Sequence, residues 1–333
     1  MKKNRITFLI CLSSLLFFAC EKESKSDGKD TDNIITTAIP LIDFGTATYR
    51  GFQGGLYPNA SNIRPPAHNT AGIAMAKTIK PLNTSGTVDE TNGKIVWLSI
   101  GMSNVTMETQ MFLSMMQSYP DKNPKLSLVD GAVGGQEINA INSSTSSYWD
   151  TVESRLAALG LSPAQVQIIW FKEAEARPTD TSFVTYPDGL KDKYKSVMQL
   201  LKLKFQNLKL VYLSDRIYAG YANTNLNPEP FAWYAGWTVK RLIESQINGD
   251  ASLNYAGNNP SSAWLSWGPY LWANGITPRS DGLIWVISDY QSDGTHPSTT
   301  GRQKVAQMLL QFFSTDETTK PWFLKTPIPS HNP

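Results

Sequence analysis

The stretch KIVWLSIGMSNVTMETQMFLSMMQSY, Lys94–Tyr119, contains the pattern that decides the fold. Its first part, KIVWLSI, is a short, bounded apolar run rich in residues that favour strands. Gly101 then permits a tight turn, and the apolar residues after it recur at helical spacing. A strand that passes through a short turn into a helix is the repeating unit of an α/β protein.

The unit recurs along the chain. Further strands are predicted at residues 125–135 (KLSLVDGAVGG), 165–171 (QVQIIWF), 208–215 (LKLVYLSD) and 282–287 (GLIWVI), and helices at residues 147–160, 189–206, 230–247 and 298–313. The strands are nearly continuous apolar runs, which is typical of a parallel sheet that helices cover on both faces. We predict an α/β fold, a flavodoxin-like doubly wound parallel sheet of about five strands flanked by helices.

The first twenty residues have the pattern of an export signal. Basic MKKNR precedes the apolar run ITFLICLSSLLFF, and the run ends on Ala19-Cys20 before a polar segment. This ending resembles a bacterial lipoprotein signal, which implies lipidation at Cys20 and anchoring in the cell envelope, on its periplasmic or its surface face. A plain secreted protein and a single uncleaved anchor helix are the alternatives.

The remaining chain divides by composition into three parts. Residues 21–33 are small and charged and predict a flexible tether. Residues 34–92 are rich in Gly, Pro, Asn and Thr and predict loops and short strands that pack on the domain. The alternating strands and helices occupy residues 93–333.

Composition excludes several classes of function. The 333 residues are 41% hydrophobic and 17% charged, which is typical of a globular protein, and a net charge of +2 gives no basis for nucleic acid as a partner. Both cysteines, Cys11 and Cys20, fall in the signal, so no disulfide is expected. The three histidines are dispersed along the chain, so no metal site is expected either.

Loops at the carboxyl ends of the strands are where a doubly wound sheet binds its ligands. Ser103 follows the first strand in SIGMSN, and glycines follow the second in DGAVGGQE. Asp293 and His296 precede the last helix in SDGTHPS, at a spacing that lets the carboxylate contact the imidazole of the same turn. A Ser-His-Asp hydrolase needs these three residue types. Taken singly, the serine is typical of a helix N-cap, the glycines are typical of a turn, and the histidine is typical of an exposed loop residue.

In this order, the blocks resemble those of the SGNH (GDSL-like) hydrolases, and the resemblance spans roughly residues 94–313. It implies acyl-ester hydrolysis without a cofactor. Position by position, it implies Ser103 as nucleophile, His296 as general base and Asp293 as the residue that orients it. The backbone N–H groups of Ser103 and Gly135 would form the oxyanion hole.

The third block of that family supplies an asparagine to the oxyanion, and this chain lacks it. The turn reads WFKEAEARP, and the matching position is Glu175, or Ala174 if the register shifts by one. An ionised carboxylate cannot donate a hydrogen bond. Asn104, Gln136 and Lys172 are the candidate substitutes.

The same turn resembles the W-Y-Q-G-E turn of carbohydrate acetylesterases, which suggests an acylated carbohydrate as substrate. Arg177 and Arg216 stand in neighbouring loops and are candidates to bind a carboxylate or a sugar hydroxyl, or to form surface ion pairs. Trp264, Trp267 and Trp272 lie in a Gly/Pro/Ser-rich stretch and are candidates for an exposed platform beneath sugar rings.

The prediction is a lipid-anchored serine esterase that removes an acyl group, most simply O-acetyl, from a glycan. An SGNH-fold glycan-binding lipoprotein, catalytically weak or inactive because of Glu175, is the alternative. A further alternative is a structural surface lipoprotein that keeps SGNH-like loops but uses them neither for catalysis nor for binding.

Overall fold

The structure, a computed structural model, describes residues 34, 35 and 37–325. The strands are β1 (Ile34–Ile35), β2 (Thr48–Tyr49), β3 (Phe52–Gln53), β4 (Ile95–Gly101), β5 (Leu126–Asp130), β6 (Val166–Lys172), β7 (Leu210–Leu213) and β8 (Trp264–Trp267). The helices are α1 (Pro66–Lys77), α2 (Ser103–Gln117), α3 (Ile138–Ile141), α4 (Ser147–Ala158), α5 (Thr185–Lys204), α6 (Phe231–Ile247), α7 (Thr299–Thr315) and α8 (Lys320–Phe323).

Five strands form a parallel sheet in the order β5-β4-β6-β7-β8. This is the flavodoxin-like order, and the predicted α/β class, parallel sheet and strand number are confirmed. The chain crosses from one side of β4 to the other between β5 and β6. The carboxyl end of β4 is therefore the switch point at which such sheets bind ligands.

Two hydrophobic clusters cover the two faces of this sheet. Side chains of β4 alternate between them, so that Val96, Leu98 and Ile100 enter one cluster while Ile95 and Trp97 enter the other. The first cluster contains side chains of α4, α5 and α6, and the second contains side chains of α1, α2, α7 and α8. Burial on both faces explains why the strand sequences are apolar throughout rather than alternating.

The fifth strand is not the one predicted. It is β8, Trp264–Trp267, which pairs with β7 from Leu210↔Trp264 to Leu213↔Trp267. The apolar run GLIWVI, residues 282–287, is irregular, and Trp285 is its one buried residue. A strand buried on both faces needs consecutive buried residues, and all four residues of β8 are buried.

The expected tryptophan platform is also wrong. All ten tryptophans lie in the described part of the chain, and none is more than 2% exposed. Trp264 and Trp267 belong to β8, and Trp272 donates its Nε1–H to the buried carboxylate of Glu229 at 2.8 Å. No tryptophan in residues 37–325 is available to stack on a sugar ring.

Residues 34–92 contain a small sheet of β1, β2 and β3 and, in addition, the helix α1, which the sequence did not predict. In α1, His68 bonds through Nε2 to the carbonyl oxygen of Leu265 at 2.8 Å and stacks on Trp264. The apolar residues of α1 are mostly alanines, which produce a weak helical pattern.

No helix in the described part of the chain is long and apolar enough to cross a membrane. The predicted lipidation site Cys20, the signal and the tether at residues 21–33 lie outside the described residues.

Candidate active site

Ser103 lies at the carboxyl end of the central strand, because β4 ends at Gly101 and α2 begins at Ser103 itself. A side chain at position 101 would collide with Val105 and with the carbonyl oxygen of Lys172, both within 2.5 Å of a Cβ atom built there. Glycine is therefore required for this abrupt passage from strand to helix. The passage leaves Ser103 in the first turn of α2, where backbone N–H groups and the helix dipole favour negative charge.

The loop before α7 holds Asp293 and His296 in contact. The ring Nδ1 of His296 is 2.5 Å from Oδ2 of Asp293, while Oδ1 of Asp293 accepts the backbone N–H groups of Thr295 and His296 at 2.9 and 3.0 Å. Gly294 between them has φ +62°, and a Cβ atom there would lie 1.8 Å from the carbonyl oxygen of Tyr221. The glycine of DGTH is thus required for this turn.

Ser103 and His296, 193 residues apart in the chain, meet at the mouth of this loop. Ser103 Oγ is 2.8 Å from His296 Nε2. Because a carboxylate only accepts hydrogen bonds, Nδ1 of His296 donates to Asp293, which leaves Nε2 free to accept the hydroxyl proton of Ser103. The three predicted residues form a continuous hydrogen-bonded chain in the arrangement of a serine-hydrolase triad.

The electrostatics keep Asp293 ionised. Partial burial alone would raise the pKa of its carboxyl group, but the hydrogen bonds from the His296 ring and from two backbone N–H groups outweigh burial. The pKa therefore lies below its usual range, and Asp293 is negative at neutral pH.

Asn104 connects the helix of the serine to the loop of the histidine. Its side chain is buried, and Nδ2 donates to the carbonyl oxygen of Thr295 at 3.1 Å. The Thr295 hydroxyl contacts that of Thr224 at 3.0 Å, so the β7–α6 connection also braces the loop. Asn104, a candidate oxyanion donor, is engaged in holding His296 opposite Ser103.

A cavity of about 330 Å³ opens beside Ser103 and His296. Its other lining residues are Met102, Asn104, Gly135, Glu137, Ala176, Arg177, Arg216, Leu226, Asn227 and Thr295. A cavity of this size can hold an acyl group together with part of a small alcohol. The candidate residues Gly135, Asn104 and Arg216 belong to this lining.

The glycine loop after β5 approaches the serine directly. A Cβ atom at Gly134 would lie 3.9 Å from Cβ of Ser103, and the next residue, Gly135, lines the cavity. Glycines at these positions let the backbone come close to a group bound at the serine. Gln136 is not part of the lining; its backbone N–H bonds to the carbonyl oxygen of Val133.

The candidate donor Lys172 and the third-block residue Glu175 both lie outside the cavity lining. Lys172 is fully buried beneath the site, where its Nζ is 2.6 Å from both carboxylate oxygens of Glu108. Glu175 points away from the cavity to Lys193 of α5, with 2.7 Å between Nζ and Oε1. The carboxylate expected to oppose a forming oxyanion is therefore paired with a cation outside the site. Ala174, the alternative register, is buried.

Sequence reasoning missed Asn227, a cavity-lining residue of the β7–α6 connection. Its Nδ2 donates to the backbone carbonyl oxygen of Glu175 at 3.0 Å, and its Oδ1 is buried without a partner in the described residues. Thus an amide side chain from another loop reaches the third-block turn. No local pattern marks this asparagine, because only the fold brings residue 227 to residue 175.

No protein-family model and no curated protein matches the sequence. Among solved structures, the chain is similar to a protein assigned as an acylhydrolase from Bacteroides fragilis NCTC 9343, at 13% identity and a TM-score of 0.37, covering 75% of this chain and 96% of that one. It is similar to a GDSL-like lipase from Bacteroides thetaiotaomicron VPI-5482, at 11% identity and a TM-score of 0.36, covering 73% and 95%. An acetyl xylan esterase is similar at 13% identity and a TM-score of 0.33, covering 65% and 98%.

Proposed function

We propose that the chain is a serine esterase that removes an acyl group, most simply O-acetyl, from a glycan of the cell envelope. The observation that supports it is the hydrogen-bonded chain from Ser103 through His296 to Asp293 at the edge of an open cavity. Ser103 comes from the start of the domain sequence, and His296 and Asp293 come from its end. Gly101 and Gly294 permit the turns that place these residues, because a side chain at either position would collide with its neighbours.

The reaction follows from this geometry in two steps. Ser103 Oγ attacks the ester carbonyl carbon while His296 Nε2 takes its proton, and the tetrahedral intermediate then expels the alcohol, which receives that proton. Water, deprotonated by His296, attacks the acyl-serine and releases the carboxylic acid and the free serine. Each turnover converts one ester and one water into one acid and one alcohol, and no cofactor takes part.

Two backbone N–H groups are the proposed oxyanion donors. That of Ser103 lies in the first turn of α2, and that of Gly135 lies in the loop that approaches the serine. Backbone donors fixed in place before the reaction stabilise developing charge without reorganising. Asn227 and Asn104 both contribute side-chain amides to the lining of the same cavity. Glu175 does not oppose the oxyanion because Lys193 holds its carboxylate outside.

The proposed substrate is tested by comparing two esters. The full chain in detergent is expected to release p-nitrophenol from p-nitrophenyl acetate and acetate from an O-acetylated xylo-oligosaccharide, with the higher kcat/KM for the oligosaccharide. The aryl ester reports on the serine chemistry, and the oligosaccharide reports on the glycan. Turnover of the aryl ester alone would remove the glycan from the proposal and leave the esterase; turnover of neither would remove both.

We also propose that Cys20 is lipidated and anchors the esterase in the bacterial cell envelope. The support is the sequence MKKNR, the apolar run and Ala19-Cys20 before a polar tether. Labelled palmitate is expected to enter the wild-type chain in bacterial cells and to be absent from Cys20→Ser. Equal labelling of both chains would rule out the anchor.

A further inference from the structure

We propose that the cavity beside Ser103 takes substrates that bear a carboxylate group, and that Arg216 is the residue that binds this group. The proposal deepens the esterase function and rests on it only for the role of Ser103. It is based on a buried guanidinium that lines the cavity and has no ion-pair partner among the described residues.

Arg216 lies in the loop after β7, separated from the end of the strand at Leu213 by Ser214 and Asp215. It is 2% exposed, it lines the cavity, and its Nε is buried without a hydrogen-bond partner. Within the described residues, no carboxylate lies at ion-pair distance from its guanidinium. A buried charge is normally paired, because an unpaired one loses its hydration without compensation. The guanidinium of Arg216 can therefore form an ion pair with an anion bound in the cavity, which the described residues do not provide.

Among the described residues, none of the acidic groups around Arg216 lies at ion-pair distance from its guanidinium, although Glu108 and Glu173 are close enough to interact with its charge. Glu108 gives both of its oxygens to Lys172. Glu173 is fully buried, and burial raises the pKa of its carboxyl group well above the usual range. Its Oε2 accepts the backbone N–H of Ala174 at 3.1 Å, and its Oε1 has no hydrogen-bond partner among the described residues. Asp215 accepts the backbone N–H groups of Leu271 and Trp272 at 2.6 and 3.2 Å, away from the cavity lining.

The acid within the cavity is engaged as well. Glu137 caps α3, and its Oε2 accepts the backbone N–H and the side-chain amide of Asn139 at 3.1 and 3.0 Å. The rim contributes a second cation, Arg177, whose backbone N–H bonds to the carbonyl oxygen of Leu226 at 2.7 Å. The cavity lining thus contains two arginines and one carboxylate, that of Glu137.

A carboxylate fits this position better than a neutral polar group. Guanidinium is planar and binds carboxylates through two parallel N–H···O bonds, and it stays charged even when burial lowers its pKa. A sugar hydroxyl would satisfy one N–H and leave the charge uncompensated. The carboxylate belongs either to the acyl half of the ester, as in a dicarboxylic hemiester, or to the alcohol half, as in an acetylated uronic acid.

The test is calorimetric binding to the full-length Ser103→Ala chain, which binds ester without consuming it. Each of two ligand pairs compares a carboxylate with a neutral group at the same position: monomethyl and dimethyl succinate for the acyl half, and O-acetylated methyl glucuronide and methyl glucoside for the alcohol half. The charged member of one pair is expected to bind about ten- to a hundredfold more tightly, the range for hydrogen bonds to a charged group. The pair that shows this preference identifies the half that bears the carboxylate.

Variants assign the preference to its residue. Arg216→Gln in the same background is expected to abolish it, and Arg216→Lys to retain a reduced preference, because lysine keeps the charge but not the paired geometry. Arg64→Gln is the matched control, because Arg64 is a buried arginine outside the cavity that already pairs with Asp316 at 3.0 Å. It is expected to keep the full preference.

Stability supplies a second readout. Removing a buried charge that has no ion-pair partner removes its desolvation cost, so Arg216→Gln without ligand is expected to be at least as stable as its parent. Arg64→Gln leaves Asp316 unpaired and is expected to melt at a lower temperature. Equal or undetectable binding of charged and neutral ligands, a preference that survives Arg216→Gln, or an Arg216→Gln chain that fails to fold would each overturn the proposal. None of these readouts requires turnover, so failure of the esterase function would be seen separately.

Discussion

Replacing Ser103 by alanine is expected to lower kcat for p-nitrophenyl acetate by about four to six orders of magnitude, which is the loss typical of removing a serine nucleophile. Ser103 Oγ lies 2.8 Å from the base His296, and no other hydroxyl in the cavity lining contacts that ring nitrogen. KM is expected to change little, because the cavity and its remaining donors stay in place. Steady-state release of p-nitrophenol measures both constants.

Ser114→Ala is the matched control for this substitution. Ser114 is an exposed serine of the same helix, so its loss is expected to leave kcat unchanged. A Ser103→Ala enzyme that retains more than about a hundredth of the wild-type kcat would show that another group forms the acyl intermediate.

Replacing Lys172 by methionine is expected to reduce the free energy of unfolding by about 3–5 kcal/mol. The ammonium group of Lys172 and the carboxylate of Glu108 are fully buried against one another directly beneath the site. Burial lowers the pKa of Lys172 and raises that of Glu108, while their contact opposes both shifts. Removing one partner leaves the other as an uncompensated charge in the core. Urea denaturation followed by tryptophan fluorescence measures the change.

The double variant Lys172→Met with Glu108→Leu provides the diagnostic comparison. Since a buried ion pair costs about as much to desolvate as it gains, the double variant is expected to be close to wild-type stability or above it. Lys80→Met is the control, because Lys80 pairs with Glu90 on the surface and its loss costs about 1 kcal/mol or less. A double variant clearly less stable than the wild type would show that the pair is a net stabilising interaction.

Most of the sheet could be predicted from the sequence, because strands buried on two faces have continuous apolar runs. β5 and β7 lie within predicted strands, and β4 and β6 each extend one residue beyond the predicted end. It failed at β8, because WLSW is only four residues long and stands among Gly, Pro and Ser, whereas GLIWVI has the composition of a strand without its burial. Strand pairing, which decides between the two runs, is a long-range property.

The candidate site shows the same division between local and long-range information. Ser103, Asp293 and His296 could be predicted because each lies in a short motif at a strand end or before a helix. The orientation of Glu175 could not, since it depends on Lys193, eighteen residues further along the chain in α5. The burial of Arg216 and the arrival of Asn227 at the third-block turn likewise depend on the packing of distant segments.

Covalent labelling tests the central claim most directly. The full chain is treated with a fluorophosphonate, which reacts with an activated serine and expels fluoride, and the labelled residue is located by peptide mass spectrometry. The triad geometry predicts a single rapid modification at Ser103, lost in Ser103→Ala and slowed by orders of magnitude in His296→Ala. Labelling at another residue, or labelling of Ser103 that is unaffected by His296→Ala, would contradict the proposed serine mechanism.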